Sequence, residues 1–142
     1  MSPVPTLDQV AVGDQLPGRT IHIGRATLVQ YAGASLDRNR IHWDEIFAKK
    51  VGLPNVIAHG MYSMGAVVSV VTDWCGDVGR IVSYSSRFTS MVPVDYESGA
   101  DLVVGATVSA VDPQAKRATV EITVMCNDTP VLGKATAVVQ LD

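Results

Sequence analysis

The chain has 142 residues and a formal net charge of −3 at pH 7, with 47% hydrophobic and 18% charged side chains. That length suits one domain around one core, and the absence of a basic excess argues against nucleic acid as a partner. A mean hydropathy of +0.23 is high for a domain of this size and favours an oligomer that hides apolar surface.

The opening "MSPVPTLDQV" has no basic stretch followed by an apolar one, which argues against a secretory signal. Turn residues at Gly13-Asp14 and Pro17-Gly18 precede a short strand through Thr20, Ile21, His22 and Ile23. Thr27, Leu28, Tyr31 and Ala32 then follow helical spacing, and Gly33 is expected at or just past the end of that helix. "SLDRNRIHWDE" (Ser35 to Glu45) reads as a loop. A short helix follows in "WDEIFAKKVG", with Asp44 and Glu45 at its start and Lys49 and Lys50 at its end, as the helix dipole prefers.

Gly60 to Trp74 is apolar on nearly every side, which predicts a helix buried all round. Its valines would also suit a strand, but the length favours a helix. The longest apolar run within it, Met61 to Val71, is too short to span a bilayer. From Gly79 the pattern turns to strands: "RIVSYSSRFTSMV", "DLVVGATVSAVD", "RATVEITVMCN" and "PVLGKATAVVQLD". Turns at "DPQAK" and "NDT" separate the last three, so an antiparallel meander of about four strands is expected. Helices first and strands after indicate α+β, with one long helix wrapped by a curved sheet. Cys75 and Cys126 sit in apolar surroundings with no CxxC, and read as free buried thiols of a reducing cytoplasm rather than a disulfide.

The stretch from Tyr31 to Gly65, "YAGASLDRNRIHWDEIFAKKVGLPNVIAHGMYSMG", resembles the hydratase motif of the MaoC-like hot-dog proteins. That motif places an aromatic and a Gly or Ser before Gly-Asp-x-Asn-Pro-(apolar)-His, with Ala/Val-His-Gly later. "VGDQLP" near the start, "RFTSMVPV" entering the second strand of the meander, and the terminal strands also sit where the family has them. The resemblance covers nearly the whole chain and is nearest to single-hot-dog dehydratase subunits of actinobacterial fatty-acid elongation. It implies one hot-dog domain over residues 1–142. Two positions depart from the motif: Leu36 stands where the family has Gly, and Arg40 where it has Pro. Gly often marks a backbone angle other residues resist, and Pro stiffens a loop.

The resemblance implies reversible hydration of trans-2-enoyl thioesters to (3R)-3-hydroxyacyl thioesters, on CoA or an acyl carrier protein, by a homodimer or a heterodimer with a related subunit. No cofactor and no metal is implied. Adding water across the double bond needs a group to take water's proton, a proton for the α-carbon, and donors aimed at the thioester oxygen. Asp37 and His42 are the expected catalytic pair, the carboxylate raising the proton affinity of the imidazole. Asn39 is expected to brace the loop, and the Gly60 N–H, at the positive end of a helix, to receive the thioester oxygen. Some family members bond the catalytic Asp with a Ser of the central helix, for which Ser63 and Ser69 are candidates.

His59 reads as a structural histidine. A metal site among His42, Asp44, Glu45 and His59 lacks any recognisable ligand spacing, and "GMYSMGA" lacks the Lys-Ser/Thr of a phosphate loop. Arg38, Arg40, Lys49, Lys50, Arg80 and Arg87 are the cations available to a carrier phosphate or an acidic carrier protein. Gly65, Ala66 and Ser69 would leave room for an acyl tunnel, or simply pack tightly on the sheet. Two alternatives remain: a non-catalytic hot-dog subunit supporting an active partner, and an acyl thioesterase, for which Asp73 is the acid on the long helix.

Overall fold

A computed structural model describes residues 4–142; the first three residues of the segment read against a secretory signal lie outside them. β1 (Gln15–Ile23) leads into α1 (Arg25–Ser35). A 3-10 turn over Arg40–His42 and the short α2 (Glu45–Lys50) follow. α3 (Gly60–Val67) and α4 (Ser69–Cys75) form the central helix. Then come β2 (Ile81–Phe88), β3 (Ala100–Asp112), β4 (Arg117–Cys126), β5 (Thr129–Pro130) and β6 (Leu132–Gln140).

The sheet is antiparallel in the order β1-β3-β4-β6-β2, with β5 beside β4. Only β3, β4 and β6 form the expected meander. β2 pairs with β6, not with β3, because the chain from Thr89 to Gly99 carries β3 to the other side of the sheet. The "RFTSMVPV" segment accordingly ends β2 and continues as loop. Both turns form where expected, at Pro113–Lys116 and at Asn127-Asp128, whose φ angles of 48° and 59° are those of a tight hairpin turn.

Strict alternation on β3 turns Ala100, Leu102, Val104, Ala106 and Val108 inward, and β4 does the same with Ala118, Val120, Ile122 and Val124. Against them lie Val67, Val70, Val71 and Cys75 of the central helix. Burying each of those valines contributes roughly 1.5–3 kcal/mol. The helix is not buried all round, as its composition suggested: Met61 and Gly65 are exposed. It is also interrupted at Val68, whose N–H turns to the Ala66 carbonyl. The Tyr84 hydroxyl of β2 donates to the Met64 carbonyl at 2.8 Å, the acceptor that an unbroken helix would offer to Val68.

α1 runs two residues past Gly33 and ends at Leu36, which takes the left-handed conformation (φ 64°, ψ 7°). Both cysteines are free and buried. Among the described residues, no helix is long and apolar enough to cross a membrane.

Candidate active site

The loop between α1 and α2 is shaped by its own side chains. Asp37 N–H donates to Ser35 Oγ, and Asn39 N–H to Asp37 Oδ1, each at 3.2 Å. Asn39 Oδ1 then accepts from Ile41 N–H and caps the 3-10 turn that carries His42. Arg40, standing in the proline position of the motif, bonds Asp44 through Nη2 at 2.6 Å and lies over the Phe47 ring. A side-chain clamp onto the first turn of α2 thus stiffens the loop where a proline ring would have done so. Asp44 also caps α2 at Phe47 N–H.

Arg25 ties this region to the rest of the molecule. It donates to the Val94 carbonyl, to Glu45 and to Asn55, at 2.6–2.9 Å, in a half-buried position. Ile57 N–H donates to the Ile41 carbonyl, which brings the segment before α3 alongside the loop.

His42 is buried, and its Nδ1 bonds the Ile57 carbonyl at 2.7 Å. A carbonyl only accepts, so Nδ1 carries the proton and Nε2 is left as a bare acceptor. Nε2 lies 3.9 Å from Asp37 Oδ2. Burial holds the His42 pKa below its ordinary value of 6.5; the Ile57 bond opposes this, proximity to His59 adds to it, and attraction by Asp37 opposes it last and least. Asp37 does raise the proton affinity of His42, as expected, but its pull is the smallest contribution and desolvation outweighs it.

His59 belongs to the same cluster. Its Nε2 is 3.8 Å from Asp37 Oδ2, and its ring stacks on His42 with centroids 3.6 Å apart. The spacing of the sequence gave no sign of this; only the approach of the pre-α3 segment to the loop produces it. Asp37, His42 and His59 could be taken for a metal triad. Yet metal bonds to imidazole lie in the ring plane, and these planes are tilted by only 21°. Planes so nearly parallel do not converge on one ion within about 2.1 Å of both nitrogens. Asp44 and Glu45 do not join the cluster, being held by Arg40 and by Arg25 and Lys49.

A cavity of about 440 Å³ opens beside His42, with Gly60 and Ser63 on one wall and Met61, Phe88 and Met91 supplying apolar surface. Gly60 is the first residue of α3, and a Cβ there would come within 3.0 Å of Phe88 Cε1. Ser63 is buried on the cavity wall, whereas Ser69 is away from it, bonded by Arg19. Among the described residues, no hydrogen bond joins either serine to Asp37. Of the cations, Arg40, Lys49 and Arg80 are paired with Asp44, Glu45 and Asp142. Arg38, Lys50 and Arg87 are exposed, with no ion pair among the described residues.

Comparison with known proteins places this geometry in a lineage. A family model described as "MaoC like domain" matches residues 9–126. A solved structure described as a MaoC-like dehydratase superposes with a TM-score of 0.95 at 39% identity, over 98% of this chain and 43% of that one. The 3-hydroxyacyl-thioester dehydratase X of Mycobacterium tuberculosis is 35% identical over 89 residues, which is 63% of this chain and 31% of that protein. The chain thus spans less than half the length of both relatives. A chain of the ChsH1-ChsH2 complex from Mycobacterium tuberculosis matches along 99% of its own length with a TM-score of 0.81, and at 22% identity shows the fold alone. Helix and wrapped sheet are the hot-dog arrangement, and the chain belongs to the MaoC-like family of hydratases and dehydratases.

Proposed function

We infer that the chain adds water to trans-2-enoyl thioesters, and removes it from (3R)-3-hydroxyacyl thioesters, carried on CoA or an acyl carrier protein. The observation that carries this reading is the pair His42 Nε2 and Asp37 Oδ2, 3.9 Å apart, with His42 lining the same cavity as Gly60. That gap is too long for a direct hydrogen bond but suits one water held by both. With its pKa held below 6.5, His42 is the free base at neutral pH and takes the water's proton as oxygen bonds the β-carbon. The same pair returns a proton to the α-carbon, so the atoms of water are conserved across the double bond; dehydration runs in reverse.

Enolate charge on the thioester oxygen is met by the Gly60 N–H at the positive end of α3. Asn39 braces the loop through Ile41. Similarity to a 3-hydroxyacyl-thioester dehydratase supports the substrate class. Met61, Phe88 and Met91 suit an acyl chain, and Arg38, Lys50 and Arg87 are the cations free to meet a carrier phosphate. The free thiols fit a reducing compartment such as the cytoplasm. Asp73, the acid a thioesterase would use, is exposed at the far end of the central helix and bound by Arg19.

Asp37→Asn and His42→Ala test the reading directly. Each should lower hydration of crotonyl-CoA, or a longer enoyl thioester, by on the order of 10²–10⁴-fold while the protein stays folded. Equal rates in variants and parent would remove the assignment. A parent inactive alone, that raises a partner's activity even with Asp37 replaced, would identify an accessory subunit instead.

A further inference from the structure

His59 sits where the loop and the central helix meet, and it is only 3% exposed. Its Nε2–H donates to the Asp37 carbonyl at 3.0 Å, its face covers His42, and Tyr31 of α1 meets it edge-on with centroids 4.7 Å apart. It is also the residue immediately before Gly60. One imidazole therefore touches the backbone bearing the carboxylate, the ring of the base, and the entry to α3.

Its Nδ1 is buried and has no partner among the described residues. A phenylalanine would fill the same space without an unpaired nitrogen, so packing alone does not account for an imidazole. The bond to the Asp37 carbonyl does, because it needs a donor at the Nε2 position.

We propose that His59 is a positioning residue for the hydration inferred above: its Nε2–H pins the Asp37 backbone and its ring seats the His42 imidazole. The proposal rests on that reading of Asp37 and His42. Asp37 lies on an exposed stretch, and its own other hydrogen bonds are to Ser35 and Asn39, both within two residues of it. The bond from His59 anchors it to the body of the molecule. Stacking fixes the plane of His42, while Ile57 fixes its tautomer. The proximity of His59 lowers the His42 pKa, so it adds to burial in keeping His42 a free base against the pull of Asp37. The titratable groups facing His59 are His42, the Asp37 carboxylate at 3.8 Å and Tyr31.

Two substitutions separate the parts. His59→Gln keeps an N–H donor near the Nε2 position and removes the ring; His59→Phe keeps a ring and removes the donor. With the full chain and crotonyl-CoA, each should lower kcat by on the order of 10–100-fold with KM nearly unchanged. In His59→Phe the acid limb of the kcat/KM profile should also move to higher pH, since the neighbour that lowers the His42 pKa is gone. Parent-like kcat and pH profiles in both folded variants would overturn the proposal. An inactive parent would instead overturn the inferred reaction. In that case, or if thermal melts show the variants unfolded, imidazole ¹⁵N shifts of the unaltered protein decide. They should show His59 protonated at Nε2 and bare at Nδ1; the opposite tautomer, or a freely averaging ring, would refute the anchoring role.

Discussion

Leu36 adopts a left-handed backbone in which its Cβ crowds the following carbonyl, at a cost of roughly 1–2 kcal/mol for an L-residue. The side chain is exposed and makes no compensating burial. Leu36→Gly should therefore stabilise the fold by about 0.5–1 kcal/mol, the relief being partly offset by the looser unfolded chain. Chemical denaturation measures this directly; a destabilised variant would mean that the leucine holds the loop through contacts of its own. His42 carries a second residue-scale consequence. Its folded pKa is depressed by burial, so below 6.5 the unfolded chain takes up a proton that the folded chain resists. The contribution of neutral His42 to stability is full above pH 6.5 and is lost as pH falls through the folded pKa. Relative to a folded His42→Gln variant, the parent's melting temperature should fall faster over that window. Parallel curves would show that the imidazole is not desolvated.

At the scale of elements, the central helix is set by contacts its own sequence does not contain. The run from Val67 to Val71 has the β-branched character that weakens helices, and the turn before it is tied to β2 through Tyr84 and the Met64 carbonyl. Burial pushes the Tyr84 phenol up to about 12, so it remains a donor across the working pH range. Tyr84→Phe removes the hydroxyl from the Met64 carbonyl and should cost about 1 kcal/mol in denaturant unfolding. No loss of stability would show that water replaces the phenol without penalty. Arg25 acts similarly between elements, joining α1 to Glu45, Asn55 and Val94 and thereby holding the two segments whose meeting makes the site.

For the whole molecule, the two sheet edges differ. β1 has Pro17 and an irregular register between Leu16 and Arg19, features that blunt an edge against pairing. A Cβ on Gly18 in that irregularity would come within 2.7 Å of the Val104 carbonyl. β2 has no proline and exposes Val82 and Phe88, and Phe88 reaches the cavity beside His42. A second copy or a related hot-dog subunit is therefore expected along β2, next to the site. Val82→Lys should shift the sedimenting species toward monomer, because a charge on an edge strand opposes pairing. An unchanged mass would place the partner on another face.

The candidate residues Asp37, Asn39 and His42 were readable in the sequence because they fall in one short segment. Asp37, Asn39 and His42 lie within six residues, and the turn that presents them is built from bonds between side chains and backbone two or three positions apart. Strand periods, hairpin turns and the apolar central segment were equally readable, since alternation and turn chemistry act over short range. Four things were decided by tertiary structure alone. β2 went to the far side of β6, which no local pattern encodes. The central helix kept one side open at Met61 and Gly65, because exposure depends on what packs against a helix and not on its composition. His59, 17 positions after His42, came to stack on it, and burial rather than Asp37 set the direction of the His42 pKa. Desolvation depends on every neighbouring atom, so it exists only once the chain has folded.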